Sequence, residues 1–495
     1  MPRFKTARPC TLLPWFLALT LGLAACAPAS PGVGGAQSTS PAPERVWTPP
    51  PPSRDRAPLA PAPIALPAEF AARRDSLTLA DLVDLALRNS PDTRMAWENA
   101  RASAAAYGSS RGLAYPQIDG AMGITGLQNP ATQGRQSVQQ VLYIPSVGFS
   151  WLLFDLGGRA GTIGAAREAL LAADWTHNSI IADVVLRTAR AYYDYVGLRA
   201  LLEAQRTTLA EQNVNLAAAE DRRRVGVATI ADVLQARTAV SQALLAVQTT
   251  EGQVRTARGA LATAAGFPAT MDLDADVVLS HGQIAEVADS VDVLVTHALE
   301  NRPDLAAAQA TWAAAEQRTR AVKSARLPSI SATGAAGRNI ILSTGGGGGN
   351  FYSLGFSLAV PLFNGFSWEF NTREAQALAE AELARTASLA QQVTYQVFAA
   401  YEAQRTASQR VRTSAELLAS ATASAEAALA RYKEGVGGLI DLLAAENALA
   451  DARAQRIQAH LQWYSALVQL AHDAALLDPD GGARIRLSEP TDPTR

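Results

Sequence analysis

The chain repeats itself at long range. Residues 86–92, with the sequence ALRNSPD, return 212 positions later as residues 298–304, with the sequence ALENRPD. Further along the spacing becomes 209, as when Asp232 returns as Asp441. A spacing held over so much of the chain is typical of an internal duplication. We therefore predict that the two halves fold alike.

The first 26 residues are typical of an exported lipoprotein. A basic start precedes an apolar run, 12–23, and the sequence LAAC ends at Cys26, which resembles a bacterial lipobox. We predict a signal peptide over residues 1–25 and lipid on Cys26; the alternative is an ordinary signal with a chance cysteine. Ala27 stands where an aspartate often retains lipoproteins in the inner membrane, which favours the outer membrane. Residues 26–76, rich in proline and alanine, are predicted to form a tether.

Composition argues against several classes of function. The formal net charge is −2, so we expect no basic surface for nucleic acid. The five histidines lack the spacing of metal ligands, and no nucleophile or zinc-protease motif is present. We therefore expect no enzyme activity, no metal and no cofactor. After the signal no run of about 20 apolar residues appears, so a membrane crossing would have to use strands.

Two stretches alternate between apolar and small or polar residues. Residues 117–154 and 329–363 show this period of two, with turn residues in the middle, and each is predicted to be a hairpin. The predicted strands have about ten residues, the length that a tilted strand needs to cross a bilayer. The glycine run 345–349 is predicted to be the flexible loop of the second hairpin.

Each hairpin is followed by a helical stretch without proline, residues 161–224 and 368–434. Such helices would be about 100 Å long. A tight turn and a shorter returning helix follow each of them. The returning helix and the opening helix of a repeat, stacked end to end, would match the long one. The predicted organisation is a first repeat over residues 77–270, a second over 285–477, and an irregular tail over 478–495.

The repeated motif lies in the opening helices and is predicted to be structural. In each copy an asparagine is the predicted N-cap and a proline lies in the first turn of a new helix. The motif residues are Asn89, Pro91, Asp92, Asn301, Pro303 and Asp304.

Four strands per chain are too few to close a barrel. An open sheet edge is not stable in lipid, and single-chain barrels begin at eight strands. The wall must therefore be shared between chains. Two chains would give eight strands with a filled interior, and three would give twelve with room for a lumen.

These features together resemble the TolC family. The resemblance rests on the paired Asn-x-Pro-Asp motifs, the Tyr-Pro and Leu-Pro entries to the hairpins, the strand exits at Phe154 and Phe363, and the Gly-x5-Asp-x-Leu turns that begin at Gly226 and Gly435. With the lipobox, the chain is most similar to the lipidated, OprM-like branch. The similarity covers about residues 77–475.

The resemblance implies a mainly α fold with a small β part. Three chains would form a homotrimer, whose twelve-stranded outer-membrane barrel continues into a periplasmic helical barrel. It also implies an exit duct for drugs or other small molecules, working with a periplasmic adaptor and an inner-membrane pump, in this branch of the RND type. Two alternatives remain open at this point: the duct of a type I protein secretion system, and a structural envelope lipoprotein without a pore.

The resemblance assigns roles to the two tight turns. Asp441 would belong to a ring of aspartates, one per chain, that closes the periplasmic mouth. The family's next acidic position is Ala444 here, which leaves a single ring. Alternatively, Asp441 only caps or begins its helix, which is compatible with gating. The predicted turn and adaptor-contact residues, for which turn geometry alone is the alternative, are Gly226, Val227, Gly435, Val436, Gly437 and Gly438.

Overall fold

A computed structural model describes residues 66–71, 73, 76–129, 138–276, 287–342 and 346–477. The predicted signal peptide with Cys26, most of the tether, and the tail 478–495 lie outside the described residues. The elements, in chain order, are α1 (Ala68–Ala71), α2 (Leu79–Asn89), α3 (Pro91–Arg111), a 3₁₀ turn (Gly112–Ala114), β1 (Gln117–Asn129), β2 (Val138–Phe154), α4 (Gly158–Arg224), α5 (Ile230–Ala264), α6 (Val291–Asn301), α7 (Pro303–Ser324), β3 (Ser329–Ile341), β4 (Gly347–Ala359), α8 (Ser367–Lys433) and α9 (Leu439–Asp473).

The two halves match element by element. The long helices α4 and α8 have 67 residues each, and the returning helices α5 and α9 have 35 each. The short helices α2 and α6 have 11 residues each. At 1.5 Å per residue the long helices extend over about 100 Å. The predicted fold class, a duplicated unit of long helices with a small β part, is confirmed.

The packed chain begins earlier than the sequence predicted. Helix α1 is a single turn, in which Phe70 is buried and Glu69 accepts a hydrogen bond from Arg88 at 3.1 Å. Leu77 is fully buried, and its backbone N–H donates to the carbonyl of Asp274 at 3.3 Å. The predicted tether is therefore wrong for residues 68–71, because the aromatic ring of Phe70 has apolar surface to bury.

A proline begins the second opening helix of each repeat. Pro91 and Pro303 occupy the first positions of α3 and α7, where the missing N–H leaves no hydrogen bond unmade. The N-caps are the residues just before them, Ser90 and Arg302, both in extended conformation. The Ser90 hydroxyl accepts a hydrogen bond from the backbone of Asp92 at 3.2 Å. The predicted helix break at each proline is correct.

Asn89 and Asn301 are not the N-caps that the sequence predicted. Each is the last residue of its helix, α2 or α6. The amide of Asn301 donates back to the carbonyl of His297 at 2.9 Å. The prediction was wrong by one residue because a proline ring forces the residue directly before it out of the helical region. That residue, and not the asparagine, becomes the cap.

The four strands form one antiparallel sheet in the order β1-β2-β3-β4. The two predicted hairpins are present, and pairing between β2 and β3 joins them, for example at Phe149 with Gly334. The strands have 13, 17, 13 and 13 residues, which is longer than predicted. Strand β4 ends at Ala359, so residues 360–363 of the predicted second hairpin lie outside the strand.

The glycine run is partly strand. Gly347, Gly348 and Gly349 belong to β4 and pair with β3. The prediction of a flexible loop is wrong for these three residues. A Cβ atom on Gly348 would overlap the carbonyl oxygen of Asn339, so the pairing here depends on a residue without a side chain.

Shorter helices of both repeats contact the long helix α4 at different points along its length. Near the sheet α4 contacts α7, where a Cβ atom on Gly161 would lie 2.7 Å from the backbone nitrogen of Ala321. At its far end α4 contacts α5, where Ala219 packs against Val233. The predicted stacking is therefore correct in that shorter helices follow one another along α4, but at the sheet end one of them, α7, belongs to the second repeat. Within the described residues, every helix falls short of the combined length and hydropathy that crossing a bilayer requires.

Candidate functional site

The sheet has two chemically different faces. Directly paired residues of antiparallel strands point to the same side, so the register assigns each side chain to a face. The first, which we call the apolar face, carries Ile118, Met122, Ile124, Tyr143, Val147, Phe149, Trp151, Ile330, Tyr352, Leu354, Phe356 and Leu358. The second, the hydroxyl face, carries Thr125, Ser146, Ser150, Ser329, Ser331, Thr333, Asn339, Ser353 and Ser357 among glycines and alanines, with Leu142, Ile144, Ile341 and Phe351 toward the loops and Leu152 at the opposite end.

The apolar face is open to its surroundings in the single chain. Met122 is 71% exposed, Tyr352 is 89% exposed and Phe356 is 74% exposed. Along β4 the apolar side chains extend over about 20 Å, at about 3.3 Å per residue. That height approaches the band of about 25 Å found on membrane barrels. An apolar surface of this extent suits contact with lipid and not with water.

Both edges of the sheet are long strands. The edge strands β1 and β4 have 13 residues each, and they run in opposite directions in the order found. Edge strands present a row of unpaired backbone N–H and C=O groups. Strand β1 of one chain and β4 of another are thus matched in length and direction for antiparallel pairing.

The two tight turns lie at the other end of the long helices. Gly226 (φ +82°) and Gly435 (φ +75°) are both left-handed, which a side chain would oppose. A Cβ atom on Gly437 would lie 3.0 Å from Cβ of Arg431, so a side chain there would be crowded. Gly438 is the N-cap of α9, and a Cβ atom there would make only ordinary contact, 3.9 Å from Asp441 Oδ2. The predicted turn glycines therefore differ in why glycine is needed.

Asp232 and Asp441 occupy the same position in the two repeats but have different partners. Asp232 belongs to a capping box, in which its carboxylate accepts from the Thr229 backbone and hydroxyl, both at 2.8 Å. At the second turn Gly438 replaces the threonine, so no capping box forms. Asp441 is exposed in the first turn of α9 and has no hydrogen bond or ion pair to the described residues. It is a first-turn acid and not the N-cap, and its carboxylate is available.

Arg222 fastens the first turn to the second repeat. Its guanidinium donates to the carbonyl of Tyr432 at 2.7 Å and lies 4.0 Å from the centre of the Tyr432 ring. It also donates to the carbonyl of Lys433 at 3.3 Å, at the end of α8. Cations are favourable at a helix C-terminus. The sequence alone does not show whether an arginine at a basic helix end makes such contacts or is only solvated.

Two further polar contacts hold α9 against α4 above the turns. Arg453 forms a bidentate pair with Glu211, at 2.9 and 3.1 Å. Glu446 accepts hydrogen bonds from the amides of Gln212, at 3.0 Å, and Asn215. Burial raises the pKa of Glu446 above its ordinary value, although these hydrogen bonds and Arg453 oppose the shift. The helices above the turns are thus joined across the two repeats by one charge pair and by hydrogen bonds to Glu446.

The two turns expose several apolar side chains. Val225 and Val227 are each 72% exposed, and Val436 is 71% exposed. Exposed apolar side chains gathered at one place mark a site of protein contact. We call this surface the tip patch; it consists of Val225, Val227, Ile230, Leu234, Val436 and Ile440.

A partly buried polar network lies where the opening helices break. His472, near the end of α9, contacts two carboxylates: Asp183 Oδ1 at 3.1 Å from Nε2, and Asp473 Oδ1 at 3.0 Å from Nδ1. Burial alone would lower the pKa of His472, but the two carboxylates outweigh it and raise the pKa to about 9. This site could not be predicted from the sequence, since Asp183 is 289 residues away along the chain.

The repeated motif supplies further parts of this network. Asp304 pairs with the buried Arg302 at 2.7 Å, and Arg302 also donates to Gln396 at 2.8 Å. In the first repeat Asp92 pairs instead with Arg187 on α4 at 2.8 Å. Each motif aspartate, at the start of its opening helix, therefore forms an ion pair with an arginine side chain, which supports the structural role predicted for it.

Comparison with known proteins places these features in a family context. The sequence model described as "Outer membrane efflux protein" matches residues 82–267 and 294–473. Protein CyaE of Bordetella pertussis is 29% identical over 407 residues, which is 78% of this chain and 81% of the relative. The solvent efflux pump outer membrane protein SrpC of Pseudomonas putida is 25% identical over 396 residues, 79% of this chain and 84% of the relative.

Solved structures share the fold. The CmeC outer membrane channel of Campylobacter jejuni superposes with a TM-score of 0.72, over 84% of this chain and 88% of that chain, at 17% sequence identity.

Proposed function

The chain belongs to the outer membrane efflux protein family, and on that premise we propose that it forms the outer-membrane exit duct of a tripartite efflux system. Drugs or other small molecules would pass through it passively. The observation that carries the proposal is the four-stranded sheet with one apolar face, one hydroxyl face and two free edges of equal length. Relatives named as outer membrane proteins of efflux pumps support it.

Three chains complete the wall. Twelve strands give a barrel with room for a lumen, whereas eight would be filled by side chains. In the trimer β1 of each chain pairs with β4 of the next, which leaves no edge in lipid. The apolar face then contacts lipid and the hydroxyl face lines the passage. A rod-like lipoprotein without a pore would have no use for such a face.

The tip patch is the proposed docking surface for a periplasmic adaptor. Short residues at the turns, including Gly226 and Gly435, let another helical tip approach closely. The apolar side chains around them supply surface to bury on contact. The adaptor in turn would join the duct to an inner-membrane pump of the RND type. That pump would supply the energy for transport, since the sequence of this chain contains no motif for an energy-yielding reaction.

Asp441 is proposed to close the periplasmic mouth as a ring of three carboxylates that hold cations. We expect Asp441→Ala to raise the single-channel conductance of the protein in planar bilayers several-fold. The matched control is Asp232→Ala, which removes the same side chain at the other turn. Asp232 is held in a capping box, so its loss should cost the helix about 1 kcal/mol and leave conductance unchanged.

Two outcomes of this bilayer experiment would count against the proposal. Absence of current from both variants would favour the rod without a pore. An equal rise in both variants would mean that Asp441 acts only through helix stability.

Lipid on Cys26 is proposed to anchor the tether in the outer membrane. Cys26→Ser should abolish labelling by radioactive palmitate and leave trimer assembly intact, because the sheet and not the lipid holds the chains together. Cys10→Ser is the control: this cysteine lies within the predicted signal peptide, so labelling should persist. Persistent labelling of the Cys26 variant would contradict the lipobox reading.

A further inference from the structure

The four strands carry only two formally charged side chains, and these point to opposite faces. Asp119 in β1 pairs with Gly148, which places it on the hydroxyl face between Gln117 and Ala121. Arg338 in β3 pairs with Asn350 and lies on the apolar face, at the loop end of the sheet. No other Asp, Glu, Lys or Arg occurs within the strand sequences.

The carboxylate of Asp119 is uncompensated in the described part of the chain. It accepts one long hydrogen bond, from the Gln117 amide at 3.5 Å, and forms no ion pair with a described residue. Asp155 and Arg159, which follow β2 at the foot of the sheet, are opposite in sign. The guanidinium of Arg159 is directed to the carbonyl of Leu152 at 2.6 Å. Within the strands, the hydroxyl face therefore carries a net negative charge that originates from Asp119.

We propose that Asp119 sets the charge selectivity of the barrel lumen in favour of cations. This inference rests on the proposed trimeric duct, in which three copies of Asp119 form a ring on the wall of the passage, two residues above the start of β1. It is a field effect and requires no bound ion. Cationic and neutral small molecules would pass the ring more readily than anionic ones of the same size.

The dimensions of a twelve-stranded barrel allow the ring to act across the whole passage. With strands about 4.8 Å apart and tilted by about 40°, the backbone radius is about 12 Å. The carboxylates reach inward and lie about 9 Å from the axis. The Debye length is about 30 Å at 0.01 M salt and about 3 Å at 1 M. The three charges therefore control the lumen at low salt and are screened at high salt.

Reversal potentials across a salt gradient test the proposal. Asp119→Asn is made in the Asp441→Ala background, which removes the other proposed acidic ring. Near 0.01 M KCl we expect the ratio of potassium to chloride permeability to fall about threefold or more, and near 1 M we expect little change. Gln117→Glu, which adds a carboxylate to the same face, should raise the ratio.

Arg338→Gln is the matched control, because it removes one charge of the same sheet from the opposite face. We expect it to leave the reversal potential unchanged. A current whose selectivity is unaffected by Asp119→Asn at low salt would overturn this inference and leave the duct intact. If Arg338→Gln shifts the reversal potential and Asp119→Asn does not, the two faces are assigned the wrong way round and the inference is overturned. Absence of any current would overturn the proposed duct, and this inference with it.

Discussion

Replacing Leu354 by arginine is expected to prevent the protein from assembling in the outer membrane. Leu354 lies near the middle of β4 on the apolar face and is 69% exposed in the single chain. An arginine on the lipid face of a barrel at mid-membrane costs about 2–4 kcal/mol. The trimer would carry the substitution three times, so the cost approaches the whole stability of a typical fold. We expect the amount of trimer that resists detergent denaturation in outer-membrane fractions to fall below detection.

Ser353→Arg is the matched control for this prediction. Ser353 is the neighbouring residue of the same strand and lies on the hydroxyl face, where it pairs with Ala335. In the proposed trimer an arginine there points into the water-filled passage, so we expect assembly close to that of the wild type. Equal assembly of both variants, or loss of only the Ser353 variant, would contradict the assignment of the two faces.

The stability of the folded protein is expected to fall as pH rises through 9. The carboxylates of Asp183 and Asp473 raise the pKa of His472 from 6.5 to about 9 in the folded state, against the opposing effect of burial. A group with a raised folded pKa contributes its full stabilisation below the unfolded pKa and loses it as pH passes the folded one. Because Asp183 is partly exposed, we expect a loss of about 2–3 kcal/mol per chain between pH 6.5 and 9.5.

His472→Gln should remove this dependence, since glutamine does not titrate. The measurement is the urea midpoint of the trimer in detergent, followed by helical circular dichroism at fixed protein concentration. His177→Gln is the control: His177 lies on α4 and forms no ion pair with a residue that the structure describes. A wild-type midpoint that stays constant up to pH 9.5 would show that the two carboxylates do not hold a proton on His472.

Periodicity predicted most of the fold because it is a local property. The long stretches without proline became α4 and α8, and the alternation around Leu354 and Phe356 became a strand with one apolar face. The errors were also local. Ser90 and not Asn89 caps α3, since the proline restricts its immediate neighbour. Gly347 was predicted to lie in a loop but lies in β4, because its pairing with Ile341 determines its conformation.

Contacts between the repeats could not be predicted from the sequence. The pairing of Trp151 with Ala332 joins the two hairpins across 181 residues, and alternation alone does not identify a strand's partner. Arg222 and Glu446 resemble ordinary charged residues on long helices until the fold places Tyr432 and Gln212 beside them. The difference between the two aspartates depends on such contacts. The Thr229 hydroxyl donates to the carboxylate of Asp232, whereas Gly438 has no side chain that could bind Asp441.

The described part of one chain offers four strands with two free edges, so the proposed duct requires that three chains share one wall. Native mass spectrometry of the mature protein, extracted in mild detergent, tests this requirement most directly. We expect one dominant species with three times the mass of the mature chain. A stable monomer, or a dimer that persists on dilution, would contradict it.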